Sequence, residues 1–132
     1  MTFRESIQTC FRKYADFQGR ARRAEYWWFI LFAVIGTILT VLVDALIGGA
    51  ITGGDVGLPV FQVAFSLGIL LPSLAVAVRR LHDTDRSGWW YLIAFVPFVG
   101  VIVLIIFFVQ RGTAGPNRFG PDPLAGEPVV AA

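Results

Sequence analysis

The sequence predicts an all-α integral membrane bundle of three transmembrane helices, preceded by a short N-terminal amphipathic interfacial helix. Three observations carry that expectation. Of 132 residues, 56% are hydrophobic and only 15% are charged, where a soluble domain carries roughly a quarter. Charge is absent from Tyr26–Val43, Val56–Val78 and Ser87–Gln110. The arginines flank those stretches instead of interrupting them. A chain of this length has too little interior to hide so much apolar surface, so the excess faces lipid. That excludes a disordered chain, a disulfide scaffold and an ordinary soluble domain.

The elements follow in order along one membrane domain, 1–132. Residues 2–17 read as a helix, because Phe3, Ile7, Cys10, Phe11, Tyr14 and Phe17 recur at helical spacing. Thr2 and Glu5 fit a capping box, and Gly19 is a natural stop. Such a helix either lies in the membrane interface or packs its apolar side on the bundle. The first span is expected over 26–50, as a permanent span: its basic flank and apolar core are both too long for a cleaved signal. A Gly-rich link follows. Its spacing Gly49-xxx-Gly53-xxx-Gly57 would suit close helix packing, but Asp55, Pro59 and the paired glycines favour a loop. The second span is expected over 58–78 and the third over 89–110, each long enough for a hydrocarbon core of about 30 Å. Pro72 lies in the second; Pro97 and Gly100 lie in the third. Prolines are tolerated there where a neighbour re-satisfies the freed carbonyl. The tail, 111–132, is rich in Gly and Pro and reads as irregular.

Orientation follows from the flanking cations. Six precede Tyr26 (Arg4, Arg12, Lys13, Arg20, Arg22, Arg23) and none lies in the first link. The second link holds Arg79, Arg80 and Arg86, and the tail holds Arg111 and Arg118. This predicts a multi-pass plasma-membrane protein with a cytoplasmic N-terminus, a cytoplasmic Arg-rich link over 79–88 and an external tail. A re-entrant third segment would return the tail to the inside. Tyr26-Trp27-Trp28 and Trp89-Trp90-Tyr91 place all four tryptophans at the cytoplasmic interface, as anchors.

Candidate functional groups cluster on that face. Arg20, Arg22, Arg23, Arg79, Arg80, His82, Asp83 and Arg86 are the candidate contacts to anionic headgroups or to a partner protein, since arginine suits bidentate phosphate binding; the 79–88 cluster also reads as a structural turn and topology anchor. His82 and Asp83 could hydrogen-bond, and Asp85 or Ser87 could cap the third helix. One histidine beside two aspartates has no recognised metal-ligand spacing, and lone Cys10 excludes an intrachain disulfide. No catalytic residue, metal or cofactor is expected, and the cations do not form a nucleic-acid patch. Asp44, the one acid within a hydrophobic run, is the candidate intramembrane acid.

Four motifs carry a resemblance. They are Phe17-x-Gly19-Arg20-x-x-Arg23-x-Glu25-Tyr26-Trp27, Arg79-Arg80-Leu81-His82-Asp83-x-x-Arg86-Ser87-Gly88-Trp89-Trp90, Pro97-x-x-Gly100 and Asn117-Arg118-Phe119-Gly120-Pro121-Asp122-Pro123. Together they resemble the small bacterial inner-membrane family known as domain of unknown function 805. The resemblance implies an integral inner-membrane protein of a few helices, and brings no catalytic residue with it. The expected role is a non-enzymatic interaction or accessory module, with a homo-oligomer possible. The rival is an oligomeric transporter or channel subunit using Asp44, and a headgroup enzyme using His82 and Asp83 is the third reading.

Overall fold

The structure, a computed structural model, describes residues 2–52 and 59–124. Among them, α-helices and one 3-10 helix run in the order α1 (Phe3–Arg12), α2 (Arg23–Thr52), α3 (Val60–Asp83), the 3-10 helix (Gly88–Phe95) and α4 (Val99–Val109). Two of them, α2 and α3, are long and apolar enough to cross a membrane. Among the described residues no strand forms; Asn117 and Gly120 make one isolated bridge. Gly53, Asp55 and Gly57 of the expected loop lie outside the described residues.

α1 begins where the sequence places it. The Thr2 hydroxyl accepts from the Glu5 amide and the Glu5 carboxylate accepts from the Thr2 amide, a complete capping box. It ends sooner than expected, at Arg12. There Asp16 donates its amide to the Lys13 carbonyl and accepts from the Gln18 amide through its side chain, a local turn that competes with further helix. The helix packs on α2: Ser6 Oγ donates to the Glu25 carbonyl at 2.6 Å, and Phe11 sits edge-on to Phe29 and Phe32.

α2 and α3 form an antiparallel pair. Gly36 permits their close approach, because a Cβ there would overlap the Phe65 ring. Away from the polar end the pair is a bare stem. Val34, Ile38, Leu39, Leu42, Leu46, Val60, Val63 and Leu67 are half or more exposed, and none of the most apolar stretch of α2 is buried. A soluble core helix would be covered on such a face; a lipid-facing one is not.

Pro72 sits inside α3 and cannot donate to the Gly68 carbonyl one turn back. The Tyr14 hydroxyl donates to that carbonyl instead, at 2.8 Å, so the turn after α1 satisfies the proline-freed acceptor.

The third apolar run departs from expectation. It is not one spanning helix over 89–110 but a hairpin of two short pieces. α4 has 11 residues, about 16 Å at 1.5 Å each, half of a hydrocarbon core. The turn lies at Pro97-x-x-Gly100. Phe98 has φ 64 and ψ −54, and the Val99 amide donates across it to the Pro97 carbonyl at 2.7 Å, a γ-turn of the strained, positive-φ kind. Gly100 then lies against the Ile93 carbonyl so closely that any Cβ would overlap it. Proline and glycine here produce a reversal rather than a kink. Gln110 therefore ends at the same end of the molecule as Asp83, and the tail packs onto the Arg-rich link instead of lying across the membrane from it. Neither Asp85 nor Ser87 caps by its side chain: Ser87 precedes the 3-10 helix without such a bond, and Asp85 pairs with Arg118 at 3.3 Å.

Two outcomes test this fold. Tyr14→Phe is expected to cost about 1 kcal/mol in a denaturation measurement, and much less in a Pro72→Ala background, where residue 72 regains its amide. Equal costs in both backgrounds would refute the carbonyl-satisfaction account. Asp85→Cys with Arg118→Cys, in a Cys10→Ser chain, should be joined within one molecule by a short bifunctional thiol reagent. Absence of that product, with both thiols reactive, would restore the three-span arrangement.

Candidate functional site

The polar residues of the first, second and fourth motifs converge in one buried cluster, built around the Asp83 carboxylate. Arg20 Nε donates to Asp83 Oδ1 at 2.9 Å and Arg80 Nη1 to Oδ2 at 2.5 Å. All three side chains are almost fully buried. Position 112 must be glycine for this to hold, since a Cβ would run into the same carboxylate. The Asp83 carbonyl accepts from the Thr113 amide at 2.7 Å and from Arg20 Nη2 at 3.3 Å.

Each arginine then spreads its remaining donors over backbone. Arg20 donates to the carbonyls of Thr113 and Gly115 at 2.5 and 2.7 Å, and its guanidinium lies 4.0 Å from Asp122. Arg80 donates from Nε to the Phe108 carbonyl at 3.2 Å and from Nη2 to the Gln110 carbonyl. Trp27 Nε1 also donates to Phe108, at 3.2 Å, and Arg23 Nη1 to Val109 at 3.1 Å. The last carbonyls of α4, orphaned in any helix, thus receive cations at the negative end of its dipole. That is why so short a helix can stop here within the protein.

Arg79 forms a second buried pair with Glu25. Its carbonyl accepts from the Ala21 amide at 2.9 Å, which ties the Gly19–Arg23 segment to α3. Cys10 borders this pair, and burial pushes its thiol up to about 12, so it stays a neutral packing group. Asp122, in the tail, is held below the usual carboxylate range chiefly by the Leu124 amide, with the Gly115 amide adding.

His82 Nδ1 faces the Gly19 carbonyl at 2.9 Å, which it can meet only as a donor. Its ring stacks on Phe119 at 4.0 Å and 2°, and its carbonyl accepts from Asn117 Nδ2. His82 and Asp83 do not bond to one another through their side chains; each has separate partners. Among the described residues, no group of three or more His, Cys, Asp or Glu could hold a metal ion.

The candidate contacts therefore divide. Arg20, Arg79, Arg80, His82 and Asp83 are buried and turned to internal partners, although Arg79 Nε and Nη2 have no hydrogen-bond partner there. Arg22, Arg23 and Arg86 remain partly exposed at the rim. Asp44 stands apart, at the other end of the stem. Its carboxylate accepts from the Phe61 and Gln62 amides at 2.9 and 2.8 Å. Pro59, at the N-cap of α3, offers no side-chain acceptor, so an acid from the neighbouring helix caps α3 in its place.

Sequence reasoning overlooks Glu25 as a site residue, although it stands within the first motif. It also places the tail motif at the wrong end. The usable signal is the set of arginines Arg20, Arg79 and Arg80, each too close to an apolar run to stay buried without an acid.

The family model described as "Protein of unknown function (DUF805)" matches residues 14–121. The chain belongs to that family. The matched stretch runs from the Tyr14 hydroxyl that serves α3 to the Gly120 bridge of the tail, and so encloses the Asp83 cluster. Among similar chains is the inner membrane protein YhaH of Escherichia coli K12, 46% identical over 112 residues that cover 85% of this chain and 90% of the relative. Another is the inner membrane protein YhaI of the same strain, 47% identical over 87% of this chain and 92% of the relative. The uncharacterized protein YiiR, also of that strain, is 28% identical, over 81% and 85%. No solved structure matches. DUF805 is thus a bacterial inner-membrane family of unknown function.

Breaking the second pair tests the site's energetics. Glu25→Ala leaves Arg79 buried without its carboxylate and is expected to cost about 3–5 kcal/mol, read as the unfolding midpoint in mild detergent. The double change Glu25→Leu with Arg79→Met should recover most of that loss. A single variant as stable as the parent would show the pair to be dispensable.

Proposed function

We propose that this DUF805 chain is a non-enzymatic inner-membrane accessory module. Its buried ion cluster locks a half-depth hairpin and the tail at the cytoplasmic end of a two-helix stem, presenting a fixed surface to lipid or to a membrane partner. The carrying observation is that His82 and Asp83, the one acid–base candidate pair, are both consumed by internal bonds, to Gly19 and to Arg20 and Arg80. A catalytic pair needs a reach to substrate; these have backbone and aromatic cover instead. The cytoplasmic assignment rests on charge. The six cations that precede Tyr26 and then Arg79, Arg80 and Arg86 all belong to the segments at or leading into the cluster end, the pattern of an inner face. The tail from Arg111 to Leu124 shares that side.

The transporter reading draws less support. Asp44 holds two amides of α3, so its carboxylate is engaged as a helix cap.

Photo-cross-linking in cells tests the proposal. A photoreactive residue in place of Trp89 or Phe3, near the cluster end, is expected to give discrete adducts, while one in place of Leu46 or Leu67 on the stem gives only diffuse lipid labelling. Identical patterns from both regions would remove the idea of a presented face. Headgroup release from phospholipid vesicles by the purified chain, lost in His82→Ala, would replace it with an enzyme.

A further inference from the structure

The cluster end leaves one feature unabsorbed, on the outer side of the hairpin. Arg86 lies 3.9 Å over the Phe107 ring and gives one bond, from Nη1 to Gln110 Oε1 at 3.2 Å. Arg23 reaches the adjoining Val109 carbonyl. Two guanidinium groups thus meet neighbouring residues at the end of α4, and among the described residues neither is paired with a carboxylate. Phe107 in turn meets Trp90 edge-on at 5.8 Å. Trp90, with Ser87, Trp89 and Ile93, lines an open groove of about 270 Å³. Its walls are 48% and 78% exposed at Trp90 and Trp89. The order is cation, aromatic ring, apolar groove.

That order matches an amphiphile with an anionic head. A guanidinium offers five donors in a planar fork that fits phosphate oxygens, and Arg86 spends one of them internally. Two cations reaching consecutive residues, Val109 and Gln110, favour a net negative head over a zwitterionic one. The 3-10 helix that carries the groove leads to a hairpin tip where Phe95 and Phe98 are 83% and 85% exposed, a surface suited to acyl chains rather than to water or a polar peptide.

We infer that Arg86 and Arg23, with the groove of Ser87, Trp89, Trp90 and Ile93, form a site for one anionic phospholipid, its phosphate on the two guanidinium groups and an acyl chain along Trp90 and Ile93. This rests on the reading of the cluster end as a membrane-interface face, and names the lipid class that face takes. Trp89 and Trp90 are walls of the site rather than interfacial anchors alone.

The test uses the full chain in phosphatidylcholine nanodiscs holding a minor fraction of phosphatidylglycerol. Bromine atoms are carried either on the phosphatidylglycerol chains or on an equal fraction of the phosphatidylcholine. Brominated phosphatidylglycerol is expected to quench tryptophan emission more strongly, by enrichment of about fivefold for each arginine engaged. Arg86→Gln and Arg23→Gln should each reduce that enrichment, Arg86→Lys should keep most of it, and Trp90→Leu should remove most of the excess quenching. Equal quenching by the two lipids in the parent chain overturns the inference, whatever the variants do. An enrichment unchanged in Arg23→Gln and in Arg86→Gln overturns the assigned residues. Should Arg86→Gln fail to fold, the parent chain and Arg23→Gln still decide. Loss of lipid preference with the cross-linked adducts intact would remove this site and leave the accessory reading standing; preference without adducts would do the reverse.

Discussion

One carboxylate organises the polar end of this protein. Asp83 closes α3, and its two oxygens are divided between Arg20, from the segment before α2, and Arg80, one turn back on its own helix. Through those arginines it gathers the end of α4 and the stretch of tail from Thr113 to Gly120. Segments distant in sequence are held by two buried ion pairs on one acid. A buried charge is costly unless it is paired and its donors and acceptors are met, so this cluster admits few rearrangements. Its value to the fold lies in specificity of arrangement, because the apolar pieces around it could pack on lipid in many ways.

The hairpin depends on that arrangement. A helix of half the bilayer depth cannot cross it, and its terminal carbonyls would be orphaned in hydrocarbon. Arg80, Arg23 and Trp27 meet them, while Gly100 and the strained Phe98 make the reversal possible at the other end. Tyr14 serving the carbonyl freed by Pro72, and Asp44 capping α3 from α2, follow the same rule. In each case a backbone group that the local helix leaves unmet is met by a side chain from elsewhere in the chain.

These arrangements also say what the motif residues are for. Sequence alone reads Arg79 to Arg86 either as a structural turn and topology anchor or as a headgroup contact, and the structure turns Arg79, Arg80, His82 and Asp83 inward. Arg86 and Arg23 stay partly exposed at the rim, Arg86 over the Phe107 ring and Arg23 on the Val109 carbonyl. Neighbouring residues of one arginine-rich motif thus differ in burial.

Much is legible from the chain itself. The membrane setting, the presence of two long apolar helices, the Thr2–Glu5 capping box, the proline that needs an outside donor and the family itself all follow from local composition, spacing and motif order, whereas α3 runs on to Asp83 through residues expected in the link. Those depend on interactions within a few residues or on the bulk preference of apolar surface for lipid. The path of the third apolar run, the end at which the tail lies, the partner of Asp44 and the burial of the arginines do not follow. Hydropathy counts residues and cannot tell one span from two half-spans joined at Pro97 and Gly100. That choice is made by donors on α2 and α3, Arg23, Trp27 and Arg80, that satisfy the end of α4 from far away in the chain. Only the assembled tertiary structure brings those donors to the carbonyls that need them.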